Sequence, residues 1–243
     1  MHAMVLAAGA GRRLGKFCKG SSKVLVPVAG KPLLGWNLLL LKKAGIRSVM
    51  INLHAGASDV CEYVRREKGF GLNIFFSYEP ELLGTAGAVK KAESFFKRDD
   101  FVVVYGDNLT DFDLKKMIRF HQRHRGLCTL GLFDPQKTAH SGILAGLVRK
   151  KTSGRITAFL EKRGNRATQC GDWVSAGVFV LAPRVLKSIP ENRSVDFGRN
   201  VFPRLLRAGD KILGWAGARF VLASDTPETL KATRTLANQF LKG

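Results

Sequence analysis

A short apolar run at residues 4–8 passes without a break into a glycine turn, Gly9-Ala10-Gly11, and two arginines follow at once. An apolar run of this length that ends in glycines reads as a buried strand. The next hundred residues repeat the rhythm. Helical periodicity covers 32–43 and stops at Gly45, a C-cap signal. Strand-like segments at 48–53, 72–77 and 101–105 alternate with helical ones at 59–67, 85–96 and 114–124. Such alternation predicts a parallel sheet with helices on its faces. After residue 126 the pattern changes. Runs at 128–133, 143–148, 156–159 and 174–181 read as strands with little helix between them, so some should pair antiparallel. Helices return at 201–208 and 227–241. The expectation is one mixed α/β domain in two halves, 1–126 and 127–243, closed by the last helix.

Composition bounds the class. At 243 residues, with 45% hydrophobic and 24% charged, the chain can bury a large core, which excludes a disordered or fibrous protein. The longest apolar stretch, 32–41, is broken by Gly35 and Asn37 and falls short of the roughly 18 to 20 residues a bilayer span needs. The first residues lead straight into the glycine turn and do not read as a secretory signal. Cys18, Cys61, Cys128 and Cys170 are widely spaced with no CxxC, which points to structural thiols in a reducing cytosol. Charge is the unusual quantity: 40 Lys and Arg against 19 Asp and Glu give +21. Nine of those cations precede the first acidic residue, Asp59. Such a field favours anionic partners: nucleotides, sugar phosphates, nucleic acid or anionic membrane. A solvated basic surface that serves solubility is the alternative.

In the glycine turn, small residues let backbone N–H groups approach phosphate oxygens, and Arg12 and Arg13 add fork-shaped donors. Five residues rather than four separate Gly9 from Gly15, and Phe17 follows Lys16, so this is not a Walker A loop. Leu14 stands where a dinucleotide fingerprint has its third glycine.

Further along come Lys23-Val24-Leu25-Val26-Pro27-Val28-Ala29-Gly30-Lys31-Pro32-Leu33 and Leu83-Gly84-Thr85-Ala86-Gly87-Ala88. Tyr105-Gly106-Asp107-Asn108, Phe159-Leu160-Glu161-Lys162, Ser175-Ala176-Gly177-Val178-Phe179 and Asp196-Phe197-Gly198 follow in order. Together with 6–14, this series resembles the sugar-1-phosphate nucleotidyltransferases over nearly the whole chain. The resemblance implies a Rossmann-like, glycosyltransferase-A-like fold with a mostly parallel sheet flanked by helices. It also implies NDP-sugar biosynthesis, as for cell-envelope polysaccharide: a sugar phosphate oxygen attacks the α-phosphorus of an NTP and pyrophosphate leaves. The Gly-Thr-Ala-Gly form resembles the mannose- or heptose-1-phosphate guanylyltransferases, and Asp-Phe-Gly the glucose-1-phosphate enzymes, so base and sugar stay open.

By resemblance, Leu6, Ala7, Ala8, Gly9, Gly11, Arg12, Arg13, Lys23, Gly84 and Thr85 form the nucleotide site in the first half. Arg13 should meet the β- and γ-phosphates and Lys23 the α-phosphate, both as exposed loop cations. Asp107 should hold Mg²⁺ at the carboxyl edge of the sheet. Gly84 and Thr85 open a helix whose N–H groups should be free for the nucleotide. Glu161 should take sugar hydroxyls, Lys162 the sugar phosphate, and Gly177 should let the sugar approach the backbone in the second half.

Near the end the pattern departs from the family. Where the family has D-x-G-T-P, this chain has Ala223-Ser224-Asp225-Thr226-Pro227, so Ala223 takes the metal-ligand position and Asp225 the glycine's. Asp225 reads either as a second metal ligand or as a helix N-cap with Glu228 in a capping box. Asp111-Phe112-Asp113 reads as capping of the helix at 114 rather than as a metal motif. His121 and His124 read as part of a solvated basic face. Ala223 keeps open a non-catalytic protein that binds NDP-sugars, and +21 a nucleic-acid binder, although no RNA-binding aromatic motif is present. About fifteen residues follow Glu228, which leaves no room for the β-helix of some relatives; a monomer or dimer is expected.

Overall fold

Four parallel strands bring their carboxyl ends to one edge of the main sheet. In the computed structural model, which describes residues 1–9, 11–18, 21–142, 146–151, 154–160 and 172–241, they lie in the order Phe101–Tyr105, His2–Leu6, Ser48–Leu53, Asn73–Tyr78. The first three are largely buried because helices cover both faces, whereas Asn73–Tyr78 at the sheet edge is largely exposed. Ala3, Val5, Val49, Ile51, Val102 and Val104 pack with Leu34, Leu38 and Leu41 of the Leu33–Lys43 helix. Met4, Phe101 and Val103 point the other way, onto Ala86, Val89 and Phe96. That is the period-two alternation of a strand dividing its residues between two cores.

The sheet continues through strand Trp173–Leu181, antiparallel to Phe101–Tyr105, and through Cys128–Phe133 and Leu147–Lys150, both antiparallel to Trp173–Leu181. Nine described strands make up this mixed sheet. The register of Trp173–Leu181 against Cys128–Phe133 breaks between Ser175 and Phe179. Gly177 sits inside the break.

Several boundaries differ from the sequence reading. The helix expected over 85–96 is two pieces, Gly84–Lys91 and Glu93–Phe96. The one expected at 201–208 is Phe202–Arg207, preceded by a π-helical turn, Phe197–Val201. The strand expected at 143–148 is Leu147–Lys150, and 143–145 lie outside the described residues. Strands Ile212–Ala216 and Phe220–Ala223 have no counterpart in the sequence reading, because Gly214 and Gly217 break up the apolar pattern there. Phe220–Ala223 pairs antiparallel with the short strand Asn108–Thr110, which carries the end of the chain to the side of Asp107.

His121 is not on a solvated face. It is buried, with Nδ1 2.8 Å from Thr129 Oγ1 and Nε2 3.7 Å from Asp100. Cys18, Cys61 and Cys128 are free thiols; Cys170 lies outside the described residues. Among the described residues, no helix is long and apolar enough to cross a membrane.

Candidate active site

The glycine turn forms one wall of a cavity of about 400 Å³ lined by Gly9, Gly11, Arg12, Arg13, Lys23, Leu82, Asp107 and Asp225. Gly11 has φ +61°, and a Cβ there would stand 2.6 Å from Cys18 Sγ, so the turn needs glycine for both reasons. Leu6, Ala7 and Ala8 lie behind this wall, with Ala7 and Ala8 buried.

Lys23 lines this cavity, and it is not an exposed loop cation. It opens the short 3₁₀ turn Lys23–Leu25 with its side chain 8% exposed. Its ammonium donates to Asp107 Oδ2 at 2.5 Å and to Asp225 Oδ1. Burial works to lower the Lys23 pKa, but Asp107 and Asp225 outweigh it and hold the ammonium above the usual lysine value. Arg13 reaches the same Asp225 oxygen at 3.5 Å with its side chain mostly in solvent.

Each carboxylate is placed by main-chain constraints. Asp107 follows the central strand, where Gly106 N donates to Leu6 O at 2.9 Å. A Cβ on Gly106 would lie 2.8 Å from that oxygen. Asn37, buried in the Leu33–Lys43 helix, donates from Nδ2 to the carbonyls of Gly106 and Asn108 at 3.1 and 3.0 Å. At the other end, Ser141 Oγ accepts from Ala223 N at 2.8 Å and donates to Ala223 O at 2.7 Å, which fixes the residues before Asp225.

The capping role considered for Asp225 does not hold. Thr226 caps the Pro227–Leu241 helix: its Oγ1 accepts from Thr229 N at 3.3 Å, and Thr229 Oγ1 accepts from Thr226 N at 2.9 Å. This is a capping box built from two threonines. Asp225 is left to face Lys23. Two carboxylates converging on one cation are a hard-oxygen pair of the kind Mg²⁺ takes. Among the described residues no third His, Cys, Asp or Glu completes a metal-binding group.

A second cavity of about 390 Å³ lies across these carboxylates, with Thr85, Asn108, Gly177, Asp196 and Arg199 in its lining. Among the described residues only Asp107 and Asp225 line both cavities. Gly177 has φ +70°, and a Cβ there would stand 2.7 Å from Asn108 Nδ2, which donates to Ala176 O at 2.9 Å. Glu161 and Lys162 lie outside the described residues.

The N–H groups at the start of the Gly84–Lys91 helix are not free. Thr85 N donates to Asp196 Oδ1 at 3.2 Å, and Ala86 N and Gly87 N donate to Val195 O at 2.8 and 3.1 Å. The Asp-Phe-Gly segment therefore caps this helix and docks the second half on the first. Gly84, at φ +71°, is held so close that a Cβ would lie 2.6 Å from Val195 O. Asp113 caps the Leu114–His124 helix as expected, through Lys116 N at 3.0 Å, whereas Asp111 instead holds Arg219 Nε at 2.6 Å.

A family model described as nucleotidyl transferase matches residues 2–218. The chain belongs to the nucleotidyl transferase family. This family member is 33% identical over 236 residues to a mannose-1-phosphate guanylyltransferase of Mycobacterium tuberculosis, covering 94% of this chain and 62% of that protein. It is 31% identical over 221 residues to a UTP–glucose-1-phosphate uridylyltransferase of Synechocystis, covering 86% of this chain and 56% of that one. The chain thus spans less than two thirds of the curated relatives it matches. HddC from Yersinia pseudotuberculosis, solved with GMP-PN, superposes with a TM-score of 0.76 at 21% identity, covering 97% of this chain and 99% of that one. UDP-glucose pyrophosphorylase from Acinetobacter baumannii superposes with a TM-score of 0.79 at 18% identity, covering 99% and 94%. These likenesses show that this family member has the same fold as both.

Sequence reasoning passed over Asn37, Asn52, Glu79 and Asp196 as site residues. Asn37 had a visible signal: it is an amide inside an otherwise apolar helix. Asn52 is an amide next to last in a buried strand, and both are at most 4% exposed. A polar side chain in such a run must find partners.

Proposed function

We propose that this nucleotidyl transferase joins an NTP to a hexose 1-phosphate, giving an NDP-hexose and pyrophosphate. The observation that carries the reading is the pair of cavities meeting at Asp107 and Asp225. The cavity with the glycine turn carries Arg12, Arg13 and Lys23 and suits a triphosphate; the other suits a sugar. Relatives named for mannose 1-phosphate and glucose 1-phosphate support the hexose.

In this reading residues 1–126 bind the nucleotide and 127–243 the sugar phosphate. Arg13, exposed at the cavity mouth, takes the β- and γ-phosphates with Arg12 adding charge. Lys23 takes the α-phosphate, where negative charge grows as the sugar phosphate oxygen bonds to phosphorus and the bond to pyrophosphate breaks. The protein's contribution is positioning and charge stabilisation, with no covalent intermediate. Gly9 and Gly11 keep the phosphates close to main chain. Gly84 and Thr85 act from beneath, holding the segment that carries Leu82, and Thr85 also faces the sugar cavity. Gly177 lets the sugar lie on main chain, with Glu161 and Lys162 taking its hydroxyls and phosphate.

Asp107 and Asp225 would hold Mg²⁺, with phosphate oxygens and water completing its shell. Bound there, the ion supplies positive charge to phosphate oxygens. The reaction belongs to the cytosol, where NTPs are supplied.

The test is pyrophosphate release from each of the four NTPs against a panel of hexose 1-phosphates. Release with at least one pair, dependent on Mg²⁺, is expected. No release with any pair, together with tight binding of an NDP-hexose, would replace the enzyme with a nucleotide-sugar sensor.

A further inference from the structure

Three strand ends beneath the nucleotide cavity are joined by a line of buried hydrogen bonds. Ala7, at the root of the glycine turn, donates from its N–H to Asn52 Oδ1 at 2.7 Å. Asn52 Nδ2 donates to Glu79 Oε1 at 2.7 Å. Glu79 Oε2 accepts from Leu83 N at 3.0 Å. Asn52 is next to last in strand Ser48–Leu53 and is 4% exposed; Glu79 follows strand Asn73–Tyr78 and is 1% exposed. Main-chain bonds hold Glu79 in place as well, with its N–H on Leu53 O at 2.8 Å and its carbonyl 2.8 Å from His54 Nδ1.

The polarity of this line is forced from both ends. A main-chain N–H can only donate, so Asn52 must present its oxygen to Ala7 and Glu79 an oxygen to Leu83. Asn52 then has only its NH₂ left for Glu79, and Glu79 must accept it. The two side chains together must offer three acceptors and one donor at these points. An amide with a carboxylate meets that requirement; two amides or two carboxylates do not.

Each end of the line adjoins a separate stretch of chain that lines one cavity. Ala7 anchors the turn that carries Gly9 and Gly11, and Leu83 adjoins Leu82, which lines the same cavity from a different part of the chain. We propose that Asn52 and Glu79 are positioning residues that set the width of the nucleotide cleft, so that NTP affinity depends on them and sugar 1-phosphate affinity does not. This rests on the assignment of that cavity to the NTP.

Reversing the line tests it. Glu79→Gln alone supplies two amides and sets two N–H groups against each other. Asn52→Asp alone sets two carboxylates against each other. The double variant Asn52→Asp/Glu79→Gln again offers three acceptors and one donor with the same net charge. KM for the preferred NTP and for the sugar 1-phosphate, and the melting temperature, are measured for all four proteins at neutral pH. Each single variant is expected to raise the NTP KM about tenfold or more, the scale of one unsatisfied buried group, with the sugar 1-phosphate KM little changed. The double variant is expected to return the NTP KM to within about threefold of wild type, the coupling a paired interaction shows. Additive losses in the double variant, or equal rises in both KM values, would overturn the proposal. If a single variant does not fold, the double variant decides: folded with a near-wild-type NTP KM it supports the relay, and otherwise it refutes it. Calorimetric binding of GTP and UTP gives the same comparison without turnover, so failure of the enzymatic reading and failure of the relay remain distinguishable.

Discussion

Asp225 accepts a hydrogen bond from Lys23 across 202 positions of sequence, and it can do so because it does not cap the helix that follows it. Thr226 and Thr229 take over that task between themselves. The consequence is a separation of roles two neighbours could have shared: Asp225 serves the cavity and Thr226 serves the helix.

The separation is testable with two substitutions. Asp225→Asn should lower kcat on the order of 10²-fold, the scale of losing one preorganised electrostatic group, with a smaller loss of stability, because the Asn oxygen still accepts from Lys23 and Asp107 still pairs with it. Thr226→Ala should do the reverse, costing about 0.5–2 kcal/mol of stability as cap removals do, while kcat stays within a few-fold. Pyrophosphate release and thermal melting on both variants check this. Equal loss of activity in both would return Asp225 to a structural role.

Lys23 gives a pH signature. Its folded pKa lies above the ordinary 10.5, raised by Asp107 and Asp225 against the opposing effect of burial. A raised folded pKa means stability that is fully present below the unfolded pKa and lost as pH climbs through the folded one. Wild type should therefore melt higher than Lys23→Met by a constant margin from pH 7 to about 10, and the margin should shrink above that. Melting curves across this range are the measurement. A margin that narrows already between pH 7 and 9 would contradict the ion-pair assignment.

Much of this arrangement is legible in the sequence. Strand Phe101–Tyr105 reads correctly because a β-branched and aromatic run ending at Gly106-Asp107 has few alternatives. Lys23 and Asp107 emerge from motifs whose spacing survives in this chain. Asp225 was ambiguous because a carboxylate before a helix obeys the capping rule and the metal rule equally well. Only the fold, in which Thr226 and Thr229 cap the helix and Lys23 meets Asp225, removes the capping reading. The Asn52–Glu79 contact was invisible for a different reason: 27 residues separate partners that meet only once two strands are in register.

The floor of the sugar cavity makes a third prediction. Gly177 has φ +70°, and a Cβ added there would stand 2.7 Å from Asn108 Nδ2, so Gly177→Ala is strained in backbone and in contact. It should raise the sugar 1-phosphate KM by about tenfold or more and leave the NTP KM within about twofold. Steady-state kinetics with each substrate varied in turn decides it, and parallel rises would assign Gly177 to folding alone.

Asn37 carries the fourth. Its Nδ2 serves the carbonyls on either side of Asp107 from inside a hydrophobic helix. Asn37→Leu fits the apolar surroundings but strands those carbonyls, at a cost of about 1–3 kcal/mol. Asp107 should then be less well held, and kcat should fall while both KM values stay within about threefold. An unchanged kcat in a folded variant would detach Asn37 from the site.

Among the described residues, the two cavities share just a pair of carboxylates, one following strand Phe101–Tyr105 and one following strand Phe220–Ala223. A wall that thin and that sparsely shared leaves each chamber free to change without the other. Exchanging the lining drawn from 128–225 between relatives should transfer a preference for one sugar and leave the choice of base intact. Selection can then act on two independent alphabets, and a small set of frameworks of this kind can spell many nucleotide sugars.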